Sequence, residues 1–252
     1  MIKPIRARAC LAVALCFLPL SSFASARHFT SIYEATTSAP GSAETENWIT
    51  WDRSSNPARS DQVSFRHELE FGITNRFQAS LYLADWFYAH DANHSDFTYS
   101  DSAVELIYNL TNPVIDPIGL SVYEEIKAGD RVFELESKLI AQKNFGPWIV
   151  AYNATLEAVW EGEHWQSREG EFQQAVGISR QLSPRLSVGA ELLHEFIFED
   201  WQDREHIRNL FVGPNIAYRR GSWFATVTAL AQATDTPDEA ELQVRLIFGT
   251  GL

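Results

Sequence analysis

Glutamates recur at alternate positions along this chain. Glu68 and Glu70 form one such pair and Glu134 and Glu136 another, while Glu157, Glu191, Glu195 and Glu241 follow singly. Arg66, Lys138 and Arg245 keep the same alternation. Residues two apart on an extended chain share a face, so these positions form one acid-rich face with a few cations. Around a lumen, such carboxylates favour cations and repel anions. Paired with the cations, the same groups would instead close a narrow lumen.

Two other sets of side chains carry possible chemistry. His67 and His194 fall on the opposite, apolar face, where a hydrolase acting on lipid would display a serine, a histidine and an orienting Asn or acid. Ser64 is near His67 in sequence but has the other parity, so no nucleophile and base pair up. The run His90-Asp91-Ala92-Asn93-His94-Ser95-Asp96 is dense in metal-capable groups, with His90, Asp91, His94 and Asp96 as weak candidate ligands. The same composition suits a solvated loop, and no cofactor is called for.

The elements that position these residues are long alternating strands. Trp148, Val150, Tyr152, Ala154, Leu156, Ala158 and Trp160 share one face, and Asn153, Thr155, Glu157 and Glu161 the other. Soluble strands average roughly 5–6 residues, whereas tilted membrane strands need about 9–11 and alternate apolar-out with polar-in. Tryptophans at both ends of one apolar face match the two interfacial girdles of a membrane barrel. Twelve strands are predicted, at roughly 44–51, 62–74, 77–89, 97–109, 119–128, 132–143, 148–161, 170–181, 186–198, 206–219, 223–233 and 239–248. Connections alternate between tight turns such as Asn75-Arg76 and Arg220-Gly221 and mostly longer polar loops. The prediction is an all-β chain folded as a single antiparallel transmembrane β-barrel with short periplasmic turns and longer external loops. His67, Glu124, Arg180 and His194 interrupt its apolar face, and a bulge beside Glu124 would turn that carboxylate inward.

The first 26 residues have the features of a secretory signal. Lys3, Arg6 and Arg8 precede an apolar run, and Ala24-Ser25-Ala26 suits cleavage after Ala26. Both cysteines, Cys10 and Cys16, lie within this segment, so disulfides drop out of the mature chain. The formal charge is −13 before the three basic residues are lost. Such acidity argues against nucleic acid as a partner. Residues 27–43, rich in Ser, Thr and Ala, are predicted to be a flexible N-terminal segment preceding a barrel at 44–252.

Glu70-Phe71-Gly72-Ile73-Thr74-Asn75-Arg76, Asp116-Pro117-Ile118-Gly119-Leu120, and Glu134-Leu135-Glu136 with Gln142-Lys143-Asn144-Phe145-Gly146 resemble an uncharacterised family of Gram-negative outer-membrane β-barrel proteins. The resemblance implies that fold and the bacterial outer membrane, with outer-membrane lipid, lipopolysaccharide and the barrel assembly machinery as partners. Strand number is similar to that of narrow solute-specific channels and of the outer-membrane phospholipase. The leading expectation is a narrow passive channel with an acidic lumen for small cationic or neutral solutes. A closed structural or binding barrel acting through acidic external loops, which could bridge divalent cations to lipopolysaccharide, is the alternative. A lipid-facing hydrolase ranks behind both.

Overall fold

The computed structural model describes residues 27–55, 59–91, 94–201, 206–237 and 239–252. The secretory signal therefore lies outside the described residues, as do Ala92 and Asn93 of the histidine-rich loop. Thirteen strands form one antiparallel sheet: β1 (Ala43–Ser54), β2 (Ser60–Thr74), β3 (Phe77–Asp91), β4 (Ser95–Tyr99), β5 (Asp101–Thr111), β6 (Gly119–Gly129), β7 (Val132–Phe145), β8 (Trp148–Glu161), β9 (Ser167–Ser183), β10 (Leu186–Phe198), β11 (Ile207–Arg220), β12 (Trp223–Gln232) and β13 (Leu242–Gly251). β1 pairs with both β2 and β13, and β2 pairs with β3, so the sheet closes into a barrel. β4 stands outside the ring. It pairs only with the far half of β3, while β5 takes the near half. The single strand expected over 97–109 is thus broken at Ser100, whose N–H donates to the Asp85 carbonyl at 2.8 Å.

One end of the barrel is tied by two-residue turns, and their chemistry explains the tightness. Phe145 pairs with Trp148 across Gly146-Pro147, and Arg220 with Trp223 across Gly221-Ser222. Gly146 and Gly221 have φ of 56° and 62°, the left-handed geometry that tight hairpins require and that glycine adopts without a Cβ clash. The β5–β6 turn is longer and capped internally, with Asn112 Oδ1 accepting from Val114 N and Asp116 Oδ2 from Asn112 N, each at 2.8 Å. The opposite end carries the longer loops.

Alternation places apolar residues on the outer wall. Leu83, Leu139 and Leu156 are 56%, 63% and 62% exposed, beside Val104, Leu106, Tyr152, Val176, Ile178, Val212 and Ile216. Aromatics gather at both rims: Phe133, Trp160, Trp165 and Trp201 at the loop end, Tyr218, Trp223 and Phe248 at the turn end. Arg180 lies over Trp148 at 5.4 Å beside a turn, within reach of the interface. Glu124 faces outward. Pairing is unbroken through it on both sides, so no bulge turns it in, and it accepts a hydrogen bond from Ser137 Oγ at 2.7 Å.

A bulge lies elsewhere. His67 pairs with Ala84 and the next residue, Glu68, with Tyr82, which leaves Leu83 unopposed. The extra residue reverses the parity of β3. Asp85, which simple alternation from Leu81 and Leu83 would send outward, therefore enters the lumen and meets Arg66 Nε at 2.7 Å.

Candidate functional site: a divided lumen

The lumen holds residues 27–42, the segment expected to be flexible. Phe29, Ile32 and Ala35 are wholly buried within the barrel. Phe29 and Ile32 pack on Ala151, Ala175, Leu193, Phe211 and Leu230, and Ala35 on Ile107, Tyr123 and Ile140. Those wall residues point inward from eight strands, β5 to β12. Burying such side chains contributes about 1.5–3 kcal/mol for each large one. Burial alone would leave the backbone of this leader unsatisfied, and wall side chains supply its partners.

Glu191 accepts from Thr30 N at 2.9 Å and Ser31 N at 2.8 Å. Asn153 both accepts from Tyr33 N at 2.6 Å and donates to Tyr33 O at 3.0 Å. Gln142 accepts from Ala35 N, Asn109 donates to Ala35 O, and Gln78 accepts from Ser38 N. Ser38 Oγ also bonds Glu70. At its start, the leader is held through Thr226 Oγ1 on Arg27 O and Asn215 Nδ2 on His28 O. Two glycines make room. A Cβ on Gly177 would lie 2.6 Å from the Phe29 ring, and one on Gly72 would lie 2.0 Å from the Ala39 carbonyl oxygen.

Both ends of the leader sit at the turn end of the barrel. His28 lies among Pro184, Arg185 and Arg219 of two tight turns, and Gly41 N donates to Gly72 O near the β2–β3 turn. The leader divides the lumen. On the loop side is a chamber of about 460 Å³; on the turn side a pocket of about 80 Å³. Tyr33 lines both. Around it stand Trp48, Tyr82 and Tyr123, with Arg27 4.7 Å and Lys138 4.4 Å from its ring centroid.

The eleven residues expected to line the lumen are placed as follows. Glu68, Glu70, Lys138 and Glu191 are buried inside, and Arg66, Glu134, Glu136, Glu157, Glu195 and Arg245 are part-buried there. Glu241 is a correction: it precedes β13 in an exposed connection, its backbone bonded to Arg53 and Gln232. The interior is not a ring of free carboxylates. Arg66 pairs with Asp85 at 2.7 Å and Glu125 at 3.6 Å, Lys138 with Glu136 at 2.7 Å, Lys127 with Glu125 and Glu134, and Arg27 with Glu46. Glu134, Glu136 and Glu157 bring carboxylate oxygens within 4.8 Å of one another. Sequence reading missed Asp85, Glu125 and Lys127: the bulge hides Asp85, and the adjacent Glu124 and Glu125 blur the two faces of β6, although the strand alternates evenly.

The remaining candidates do not assemble. His90 Nδ1 meets Ser95 Oγ at 3.1 Å, Asp91 Oδ1 caps His94 N at 2.8 Å, and Asp96 caps Phe97 N and Thr98 Oγ1. These are turn-closing bonds of an exposed hairpin, and among the described residues no three of His90, Asp91, His94 and Asp96 bring their ligand atoms together. His67 Nδ1 bonds Asn47 Oδ1 at 2.8 Å on the outer wall, and His194 Nε2 takes the Arg208 guanidinium. Among the described residues no serine hydroxyl bonds either imidazole, and Ser64 lines the inner chamber.

A match to a protein-family model spans residues 21–243. The chain belongs to the DUF6662 family, a family of unknown function. No curated protein matches it. Solved structures similar to this family member include an outer-membrane channel from Pseudomonas putida F1, with a TM-score of 0.69 at 9% identity over 89% of this chain and 100% of that one. The NanC porin gives 0.58 at 9% identity, covering 82% and 100%. The KdgM porin, solved with oligogalacturonate, gives 0.50 at 12% identity, covering 81% and 97%. The likeness is one of fold: this DUF6662 member is an outer-membrane-type β-barrel.

His28 gives the leader a pH-dependent hold. Burial works against protonation and so does Arg219, but Glu34, 3.0 Å from Nδ1, outweighs both and raises the His28 pKa above its ordinary 6.5. A raised folded-state value means that this contribution is complete below pH 6.5 and fades as pH rises through the raised value. Protease access to residues 27–41 of the folded barrel should increase as pH rises above 6.5 and through the raised His28 value. The same titration of His28→Gln should show that component gone; an unchanged profile would remove His28 as its source.

Proposed function

We propose that the protein is a passive outer-membrane channel for small cationic or neutral solutes, closed at rest by its own N-terminal segment. The observation that carries this reading is the charged loop-end chamber of about 460 Å³, floored by the leader, inside a barrel whose solved likenesses include channels and porins. Asp52, Asp85, Asp101, Glu134 and Glu136 line it alongside Arg66, Lys127, Lys138 and Arg245, an acidic balance that concentrates cations. Passage to the periplasmic pocket requires Tyr33 and its neighbours to move. The reading is non-catalytic, in keeping with the want, among the described residues, of a serine hydroxyl bonded to His67 or His194. Signal cleavage after Ala26 would start the mature chain at Arg27, the residue paired with Glu46, with barrel assembly machinery, lipopolysaccharide and lipid as its surroundings.

Reversal potentials across a salt gradient test the reading. Cation preference in the conducting state is the expected result. Anion preference would overturn the cation reading, and an absence of conductance with the leader present and with it deleted would leave a closed barrel acting through its external loops.

A further inference from the structure

The floor of the loop-end chamber has unused hydrogen-bond donors. Every other lysine or arginine lining this chamber has a carboxylate within ion-pair distance: Arg66, Lys127 and Lys138. Arg245 does not, among the described residues. Its Nε donates to Thr50 Oγ1 at 3.0 Å and its Nη1 to Thr30 O at 3.4 Å, which leaves Nη2 without a recorded bond. The hydroxyls of Thr30 and Ser31, also in the chamber lining, are buried with no partner; Thr30 is 1% exposed. A buried hydroxyl without a hydrogen bond costs about 1–3 kcal/mol. A guanidinium edge beside two such hydroxyls is donor-rich, and this is the chemistry that holds a carboxylate.

Unused acceptors lie elsewhere on the wall. Asp85 Oδ1 on β3 and Asp101 Oδ1 on β5 are buried without a hydrogen bond, and both residues line the chamber. In the ring order β13, β1, β2, β3, β5, they stand about a third of the circumference from Arg245. Further round, β7 carries Glu134 and Glu136, while Asp52 on β1, also in the lining, accepts from Gln243 Nε2 at 2.9 Å. A cation carried by the same solute would meet Asp85 and Asp101 there. The volume is within the roughly 300–1,000 Å³ of small-molecule sites.

We propose that this chamber binds a small zwitterionic solute, an amino acid in its simplest form, with its carboxylate on Arg245, Thr30 and Ser31 and its ammonium on Asp85 and Asp101. This rests on the channel reading and supplies its solute class: a zwitterion is neutral overall and passes an acidic mouth.

Alanine, ethylamine and propionate separate the two halves, because each of the latter lacks one charged group of the first. Titrations of the full-length barrel in detergent, followed by calorimetry, should show alanine binding at least about tenfold tighter than either fragment. Arg245→Gln should bring alanine down to the level of ethylamine, and Asp101→Asn towards that of propionate, with heat-modifiable mobility on gels showing that each variant is folded. Equal binding of all three, no saturable alanine binding, or full alanine affinity in both variants would overturn the proposal. Alanine binding by a barrel that never conducts would keep the site while removing the channel. Conductance without alanine binding would do the reverse.

Discussion

Excision of residues 27–41 will produce a barrel that folds and conducts, with unit conductance on the order of tenfold above that of the full-length protein. Folding is retained because every strand-to-strand ladder, including the β1–β13 closure, is made without the leader. Conductance rises because the excised residues separate the two cavities. The cost falls on stability, since Leu193, Phe211 and Leu230 lose Phe29 and Ile32 and face water. A lower unfolding temperature should accompany the larger current. Equal conductance with and without the leader would place the barrier in the wall side chains, in the ion pairs of Arg66, Lys127 and Lys138.

The second large effect is expected from Glu191→Ala. The carboxylate is 1% exposed and accepts four hydrogen bonds: from Thr30 N, Ser31 N, Asn215 Nδ2 at 2.8 Å and Thr228 Oγ1 at 2.6 Å. Two of the four hold the leader, and bonds to a charged group contribute about 1.5–3 kcal/mol each. Their loss leaves two buried backbone donors unpaired, so the leader should spend much of its time out of place. A cysteine introduced as Ser31→Cys reports on this, because Cys10 and Cys16 are the chain's only other cysteines and both precede Arg27. Labelling by a charged maleimide should be slow in the otherwise unaltered protein, fast with Glu191→Ala and intermediate with Glu191→Gln. Equally slow labelling in all three would mean that Glu191 does not anchor the leader.

Strand number, faces and turn chemistry were legible because period-2 alternation over long strands is a strong, local signal. Val132–Phe145 and Trp148–Glu161 read directly, down to the Gly146-Pro147 turn. The bulge at Leu83 did not, since one extra residue leaves composition unchanged while moving Asp85 from one face to the other. The leader was misread for a related reason. Ser, Thr and Ala between few apolar residues have the composition of a loop, and the bonds that order it come from residues up to 199 positions away. A trace was present: Leu193, Phe211 and Leu230 face inward, where a water-filled lumen has no use for them, and Phe29 and Ile32 are the side chains that fill that space. Charges were located by parity, yet their pairing was not, because partners such as Arg66 and Glu125 belong to strands that are not neighbours.

The leader also imposes an order on assembly. Its partners Asn153, Glu191, Asn215 and Thr226 lie on β8, β10, β11 and β12, so the first residues to emerge cannot lock until nearly the last strands are in place. Contacts of such sequence separation form late, after the chain has met its loop-closure cost. The barrel must therefore close around an interior whose floor is not yet set. Refolding into bilayers should be biphasic, with strand formation first and protection of the leader from protease afterwards, so each new copy passes through an open state before it becomes quiet.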